Sequence, residues 1–228
     1  MESLTNETTF DVALTSVRDI NAALHTPDVD GVFSILNPNG AHNLAVGIDA
    51  PVRVEVAGHV GYYAAAMNKR AEVVIDGNAG VGVAENMMSG TVVVKGNASQ
   101  SAGATAHGGL LVIEGDAAAR CGISMKGVNI VVGGNAGHMS AFMAQSGTLV
   151  VRGDVGDALG DSIYEARVYV RGEVASLGAD CIAKAMDDQH HAELAALLKE
   201  AGFSDDTSTY TRYGSARSLY HFHAANTY

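Results

Sequence analysis

The sequence predicts an all-β chain, a right-handed parallel β-helix of about seven 19-residue coils. Three observations predict it. Glycine recurs at Gly58, Gly77, Gly96, Gly115, Gly134, Gly153 and Gly172, each 19 residues after the last. A fixed internal period of this size is the mark of a repeat architecture. Each of these glycines is preceded by a short β-branched run, and each run carries two aliphatic columns. One column is Val54, Val73, Val92, Leu111, Ile130, Leu149 and Val168; the other is Val56, Ile75, Val94, Ile113, Val132, Val151 and Val170. The two lie two residues apart, so they share one face of each strand. Finally, the 228 residues hold 27 Gly, 3 Pro and no Trp, with 17 % charged and 47 % hydrophobic side chains. Such a chain can bury a core and is not disordered.

One strand per 19 residues, always entering the same turn, is not a meander, because meanders alternate strand direction. Coils stacked in parallel satisfy the pattern. At ~4.8 Å per coil, seven coils make a rod roughly 30 Å long. The period favours the right-handed kind without deriving it, since the left-handed hexapeptide helix uses eighteen-residue coils and nineteen is not a multiple of six.

The elements follow in order. Residues 1–50 form an N-terminal cap, with a short helix from Ser16 to Leu24 and an extended stretch from Gly31 to Leu36. Residues 51–186 form the β-helix. At each turn, glycine is followed by His59, Asn78, Asn97, Asp116, Asn135, Asp154 or Glu173. The expectation is that glycine supplies φ > 0 and that Asn or Asp bonds its own backbone. A small-residue column, Ala65, Ala84, Gly103, Gly122, Ala141, Gly160 and Ala179, implies close approach of backbone to backbone. A further column, Asn68, Met87, Ala106, Met125, Ala144, Ile163 and Ile182, is mostly apolar. Residues 187–228 hold an amphipathic helix over 187–202, capped by Asp187 or Asp188, with Leu194, Leu197 and Leu198 on its apolar face. An aromatic tail with Tyr210, Tyr213, Tyr220 and Phe222 follows.

The column three places before each marker glycine reads Glu55, Val74, Val93, Val112, Val131, Val150 and Tyr169. It faces away from the core columns. A continuous apolar stripe on that side marks a covered surface. The cover expected is the helix at 187–202, the aromatic tail, a partner subunit, or a combination. The candidate interface residues are therefore Val93, Val112, Val131, Val150 and Tyr169, with Arg212, Tyr213, Arg217 and Tyr220 from the tail.

Composition and motifs speak against several function classes. The net charge of −11 repels phosphate backbones, which disfavours nucleic-acid binding. No apolar run reaches the length of a membrane span. The start, Met1-Glu2-Ser3-Leu4-Thr5, lacks the basic and apolar regions of a secretion signal. Cys121 and Cys181 make no CxxC pair and suit a reducing cytoplasm. His59, His107 and His138 fall at different places in the repeat, so no ladder of metal ligands forms, and His190-His191 point apart on a helix. His221 and His223 could share a strand face. Asp76 and Glu114 share a column but Lys95 stands between them, so no glycosidase pair is assigned. Gly77-Asn78-Ala79-Gly80-Val81-Gly82 is one copy of a repeated turn rather than a dinucleotide fingerprint. The residues themselves describe a rigid scaffold.

Longer stretches add a resemblance. They include Asn37-Pro38-Asn39-Gly40-Ala41-His42, Gly58-His59-Val60-Gly61-Tyr62-Tyr63, Met67-Asn68-Lys69-Arg70 and Glu85-Asn86-Met87-Met88-Ser89-Gly90. Further on stand Cys121-Gly122-Ile123-Ser124-Met125-Lys126-Gly127, Gly137-His138-Met139-Ser140-Ala141-Phe142-Met143, Asp157-Ala158-Leu159-Gly160-Asp161-Ser162 and Arg212-Tyr213-Gly214-Ser215-Ala216-Arg217. Over nearly its whole length the chain resembles the C-terminal β-helix, or GXGXG, domain of glutamate synthase large subunits, although the turns here read G-x-x-G. A stand-alone chain of this length is most similar to the β-helix subunits of N-methylglutamate synthases (methylamine–glutamate N-methyltransferases). The resemblance implies a cytoplasmic multi-subunit enzyme that makes N-methyl-L-glutamate and ammonia from methylamine and L-glutamate. It implies two partners: a glutamine-amidotransferase-like subunit and an FMN-binding glutamate-synthase-like subunit carrying FMN and an iron–sulfur cluster. No catalytic residue, metal or cofactor is expected in this chain. The β-helix subunit of formylmethanofuran dehydrogenase and a self-assembling β-helix of the bactofilin kind are the alternatives.

Overall fold

The computed structural model describes residues 7–217. The strands are β1 (Glu7–Asp11), β2 (Val32–Leu36), β3 (Arg53–Ala57), β4 (Glu72–Ile75), β5 (Thr91–Val94), β6 (Leu110–Ile113), β7 (Lys126–Val132), β8 (Ser146–Val151), β9 (Arg167–Val170), β10 (Cys181–Lys184) and β11 (Thr211–Ser215). Two helices, α1 (Val17–Leu24) and α2 (Asp188–Glu200), flank them. The molecule is a parallel β-solenoid of about seven turns. All the strands join one sheet in the order β1-β2-β3-β4-β5-β6-β7-β8-β9-β11-β10. From β1 to β9 every pairing is parallel, and β3 to β9 keep the 19-residue register, as in Val54↔Val73 and Val73↔Val92, except at the start of β7, where Lys126 pairs with Ser146 before the register shifts at Asn129. The two aliphatic columns fill the interior and are 2 % exposed or less throughout.

The sheet begins inside the segment expected to be only a cap. β2 lies parallel to β3 with Ser34 opposite Glu55. The turn from β2 to β3 is longer than its successors, which hides it from a search at period 19. Helix α1 closes this end of the core with Ile20 and Leu24, both fully buried. Ser16 caps it, its hydroxyl accepting from the Asp19 amide at 3.2 Å. At the other end the parallel stacking stops. β11 returns from beyond α2 and inserts antiparallel between β9 and β10.

The marker glycines have a different reason from the one expected. Among them only Gly58 has a left-handed φ, +138°. At the others the side chain is excluded by the neighbouring coil. A Cβ on Gly115 would stand 2.2 Å from Asn97 Oδ1, and one on Gly134 would stand 2.2 Å from Asp116 Oδ1. These carboxamide and carboxylate oxygens reach forward instead of bonding their own backbone. Asn97 N–H donates to Asn78 Oδ1 at 2.8 Å, Asp116 N–H to Asn97 Oδ1 at 2.8 Å, and Asn135 N–H to Asp116 Oδ1 at 2.7 Å. Asp154 and Glu173 continue the ladder, and His59 Nδ1 starts it by accepting from Asn78 N–H at 2.8 Å. Each turn residue from His59 to Asp154 thus satisfies an amide that the next coil would otherwise leave unpaired.

The small-residue column is also explained differently. Ala65, Ala84, Gly103, Gly122, Ala141 and Gly160 all adopt left-handed φ between 53° and 69°. Their Cβ direction points at core side chains, not at backbone. A Cβ on Gly103 would lie 2.6 Å from Ile130 Cδ1, and one on Gly160 would lie 2.8 Å from Cys181 Sγ. Ala179 leaves the pattern and is exposed, because the coil after β9 is broken by β10. Left-handed residues flank the column on both sides, as Tyr63 and Met67 flank Ala65. Such backbone costs of order 1 kcal/mol per non-Gly residue. The amides offset it by bonding both neighbouring coils: Tyr63 to Val81 O at 2.8 Å, Ala65 to Leu44 O at 2.9 Å and Met67 to Glu85 O at 2.8 Å.

Candidate interface

The outer face of the sheet is the candidate functional surface, and helix α2 divides it. Asp187 caps α2 by accepting from the His190 amide at 2.9 Å. Thirteen helical residues span ~20 Å, enough to cross four strands at ~4.8 Å spacing. Leu194, Leu197 and Leu198 pack on Leu110, Val112, Val131, Val150 and Tyr169, and Tyr210 completes a second apolar cluster separate from the main core. Val112, Val131, Val150 and Tyr169 are 3 % exposed or less beneath it. Val93 is half-buried at its margin. The chain's own helix is therefore the cover over β6 to β9.

A polar border fastens α2 and the segment after it. Arg152 donates to both Asp205 oxygens, at 2.5 and 2.8 Å, and Arg171 adds a third contact at 3.1 Å. The Tyr210 hydroxyl donates to the same carboxylate at 2.8 Å. Phe203 lies under the Arg152 guanidinium, 4.1 Å from its centre. Hydrogen bonds from Arg152, with Tyr210 and Arg171 beside it, hold the Asp205 carboxyl at about 2. Burial and the same carboxylate push the Tyr210 phenol up. On the opposite border Glu193 accepts from Arg167 and from Thr148. Sequence reasoning did not single out Asp205. The signal for it was the pair Arg152 and Arg171, two cations stacked 19 residues apart beside an apolar stripe.

The tail residues fall in different places. Arg212 stands opposite Tyr169 in the β11–β9 ladder, and its guanidinium donates twice to Ala185 O, at 3.0 and 2.8 Å. Tyr213 is half-buried and packs on the main core. Arg217 pairs with Asp180. Tyr220, like His221, Phe222 and His223, lies outside the described residues.

Over β1 to β5 the same face is open and polar. Its central column reads Thr9, Ser34, Glu55, Val74 and Val93. Arg53 pairs with Glu55 and Glu72, and Lys95 with Asp76.

Both thiols are free and buried. Burial pushes Cys121 up to about 12 and Cys181 up to about 11, which keeps them protonated and unreactive. Among the described residues no three His, Cys, Asp or Glu side chains converge as a metal site, and no helix is long and apolar enough to cross a membrane.

No family model matches the chain. Over 221 residues it is 59 % identical to Protein GlxC of Rhizobium meliloti (strain 1021), an alignment that covers 95 % of this chain and 97 % of that protein. The chain belongs to the GlxC family.

Proposed function

We propose that this GlxC-family chain is the scaffold subunit of a glutamate-synthase-like multi-subunit enzyme. The observation that carries the reading is the parallel coil stacking from β3 to β9, in register at period 19 apart from one shift at the start of β7. That register runs through the stretches on which the resemblance to the glutamate synthase β-helix rests, including Gly58–Tyr63, Glu85–Gly90 and Gly137–Met143. A stack of identical coils sets fixed distances along one axis. It suits a part that holds other subunits in place better than one that must open and close. The antiparallel β11 at one end also speaks against a filament that grows by parallel stacking of coils.

The finer reading is N-methylglutamate synthase. In it an amidotransferase-like subunit and an FMN and iron–sulfur subunit perform the chemistry, and this chain keeps them in register in the cytoplasm. The test is purification of the tagged chain from its native host, with mass spectrometry, a visible spectrum and an assay of N-methylglutamate from methylamine and glutamate. The reading predicts two co-purifying subunits of those kinds, a flavin spectrum in the complex, and a colourless, inactive chain when it is purified alone. A chain that purifies without partners, or that carries stoichiometric flavin by itself, would contradict it.

A further inference from the structure

The end of the solenoid where β9, β11 and β10 meet the start of α2 carries an open cleft. Arg167, Lys184, Arg212 and Arg217 line it, with His190 and Glu165. Four of the chain's 14 Lys and Arg residues thus gather in one place on a molecule of net charge −11. Their carboxylate partners are unevenly distributed. Arg167 has Glu193, Arg217 has Asp180, and His190 has Asp187. Among the described residues Lys184 forms no ion pair, and Arg212 meets only the carbonyl of Ala185. The positive end of the α2 dipole lies beside them, since His190 is in its first turn. The Tyr169 hydroxyl, on the same face of β9 as Arg167 and opposite Arg212 in the ladder, is buried with no hydrogen-bond partner among the described residues.

We propose that this cleft docks an acidic segment of a partner polypeptide. A guanidinium fork matches a carboxylate in shape as well as charge. The cleft is shallow and strung along three elements, which fits successive carboxylates on an extended chain better than one enclosed small anion. Elsewhere the excess of acidic over basic residues repels such a segment, so the cleft also fixes where it binds. The inference needs the scaffold reading only in that a partner chain must exist, and its test uses this chain alone.

The test is a titration of the isotope-labelled chain with a hexaglutamate peptide, followed by amide chemical shifts, with glutarate titrated in parallel. Docking predicts peptide-induced shifts centred on Lys184, Arg212 and Ser215, weakened at least tenfold between 20 and 200 mM salt (roughly, from the release of several counterions). Lys184→Gln is expected to weaken binding about threefold and Lys184→Gln with Arg212→Gln about tenfold or more, while Lys69→Gln at the far end leaves it unchanged. If removing the Arg212 bond to Ala185 unfolds the double variant, Lys184→Gln alone carries the test. No shifts at millimolar peptide, glutarate bound as tightly as the peptide, or full affinity in Lys184→Gln would each overturn the proposal.

Discussion

The two halves of the outer sheet face have the same backbone and opposite surfaces. Over β6 to β9 the central column is Val112, Val131, Val150 and Tyr169, sealed under α2. Over β1 to β5 it passes through Thr9, Ser34 and Glu55 to the half-buried Val74 and Val93, with exposed ion pairs on either side. Strand geometry does not distinguish the halves, so the side chains record what lies over each of them. The apolar run extends past the helix by Val74 and Val93 and then gives way to charge.

The largest expected difference comes from putting a carboxylate into each half. Val131→Asp buries an unpaired charge beneath α2 and is expected to cost about 4 kcal/mol. Val74→Asp, on the open half, is expected to cost under about 1 kcal/mol. Urea denaturation of the two variants measures both. Equal losses would mean that α2 does not seal its half.

Ion pairs should separate the halves next, and here pH gives the sign. The Asp205 carboxyl is held at about 2 against an ordinary 3.8. Its stabilisation is therefore complete above the ordinary value and lost as pH falls through the native one. The gap corresponds to about 2 kcal/mol. Asp205→Asn should lose about that much at pH 7, and its deficit relative to the native chain should shrink as pH drops from 4 towards 2. Asp76→Asn removes an exposed pair with Lys95 and should cost about 0.5 kcal/mol or less. Thermal melts across this pH range test the contrast.

The smallest difference is predicted for the ladder of turn side chains, which runs through both halves alike. Asn78→Ala and Asn135→Ala each free one amide of the next coil. Each should cost about 1 kcal/mol, and the two costs should agree. A large gap between them in denaturation would show that the coils differ in more than their cover.

Much of this was legible in the sequence, and the limits have physical causes. The period of 19, the two core columns and the need to cover the valines all follow from side-chain alternation along a strand. The identity of the cover could not be read there, because a 13-residue helix and a partner subunit bury valine equally well. β2 was missed as part of the sheet because its coil breaks the period. The reason for glycine at the turns was misread because a single coil shows only its own φ. The clash with Asn97 or Asp116 belongs to the stack. The left-handed backbone at Tyr63 and Met67 had no local signal at all, since these residues do not favour it, and only bonds from both neighbouring coils hold it. The role of Asp205 emerged only when the chain after α2 folded back on Arg152.

Removing one coil tests the proposed spacer role of the solenoid. Deleting residues 77–95 joins Asp76 to Gly96, keeps the register of every remaining strand and lies in the open half, touching the cluster under α2 only through Val93. It shortens the stack by ~4.8 Å. If the solenoid is a spacer, the shortened chain folds and still binds the proposed partner subunits, while the complex loses at least about tenfold in coupled turnover and each proposed partner keeps its own half-reaction. Undiminished coupled turnover in the shortened complex would contradict it.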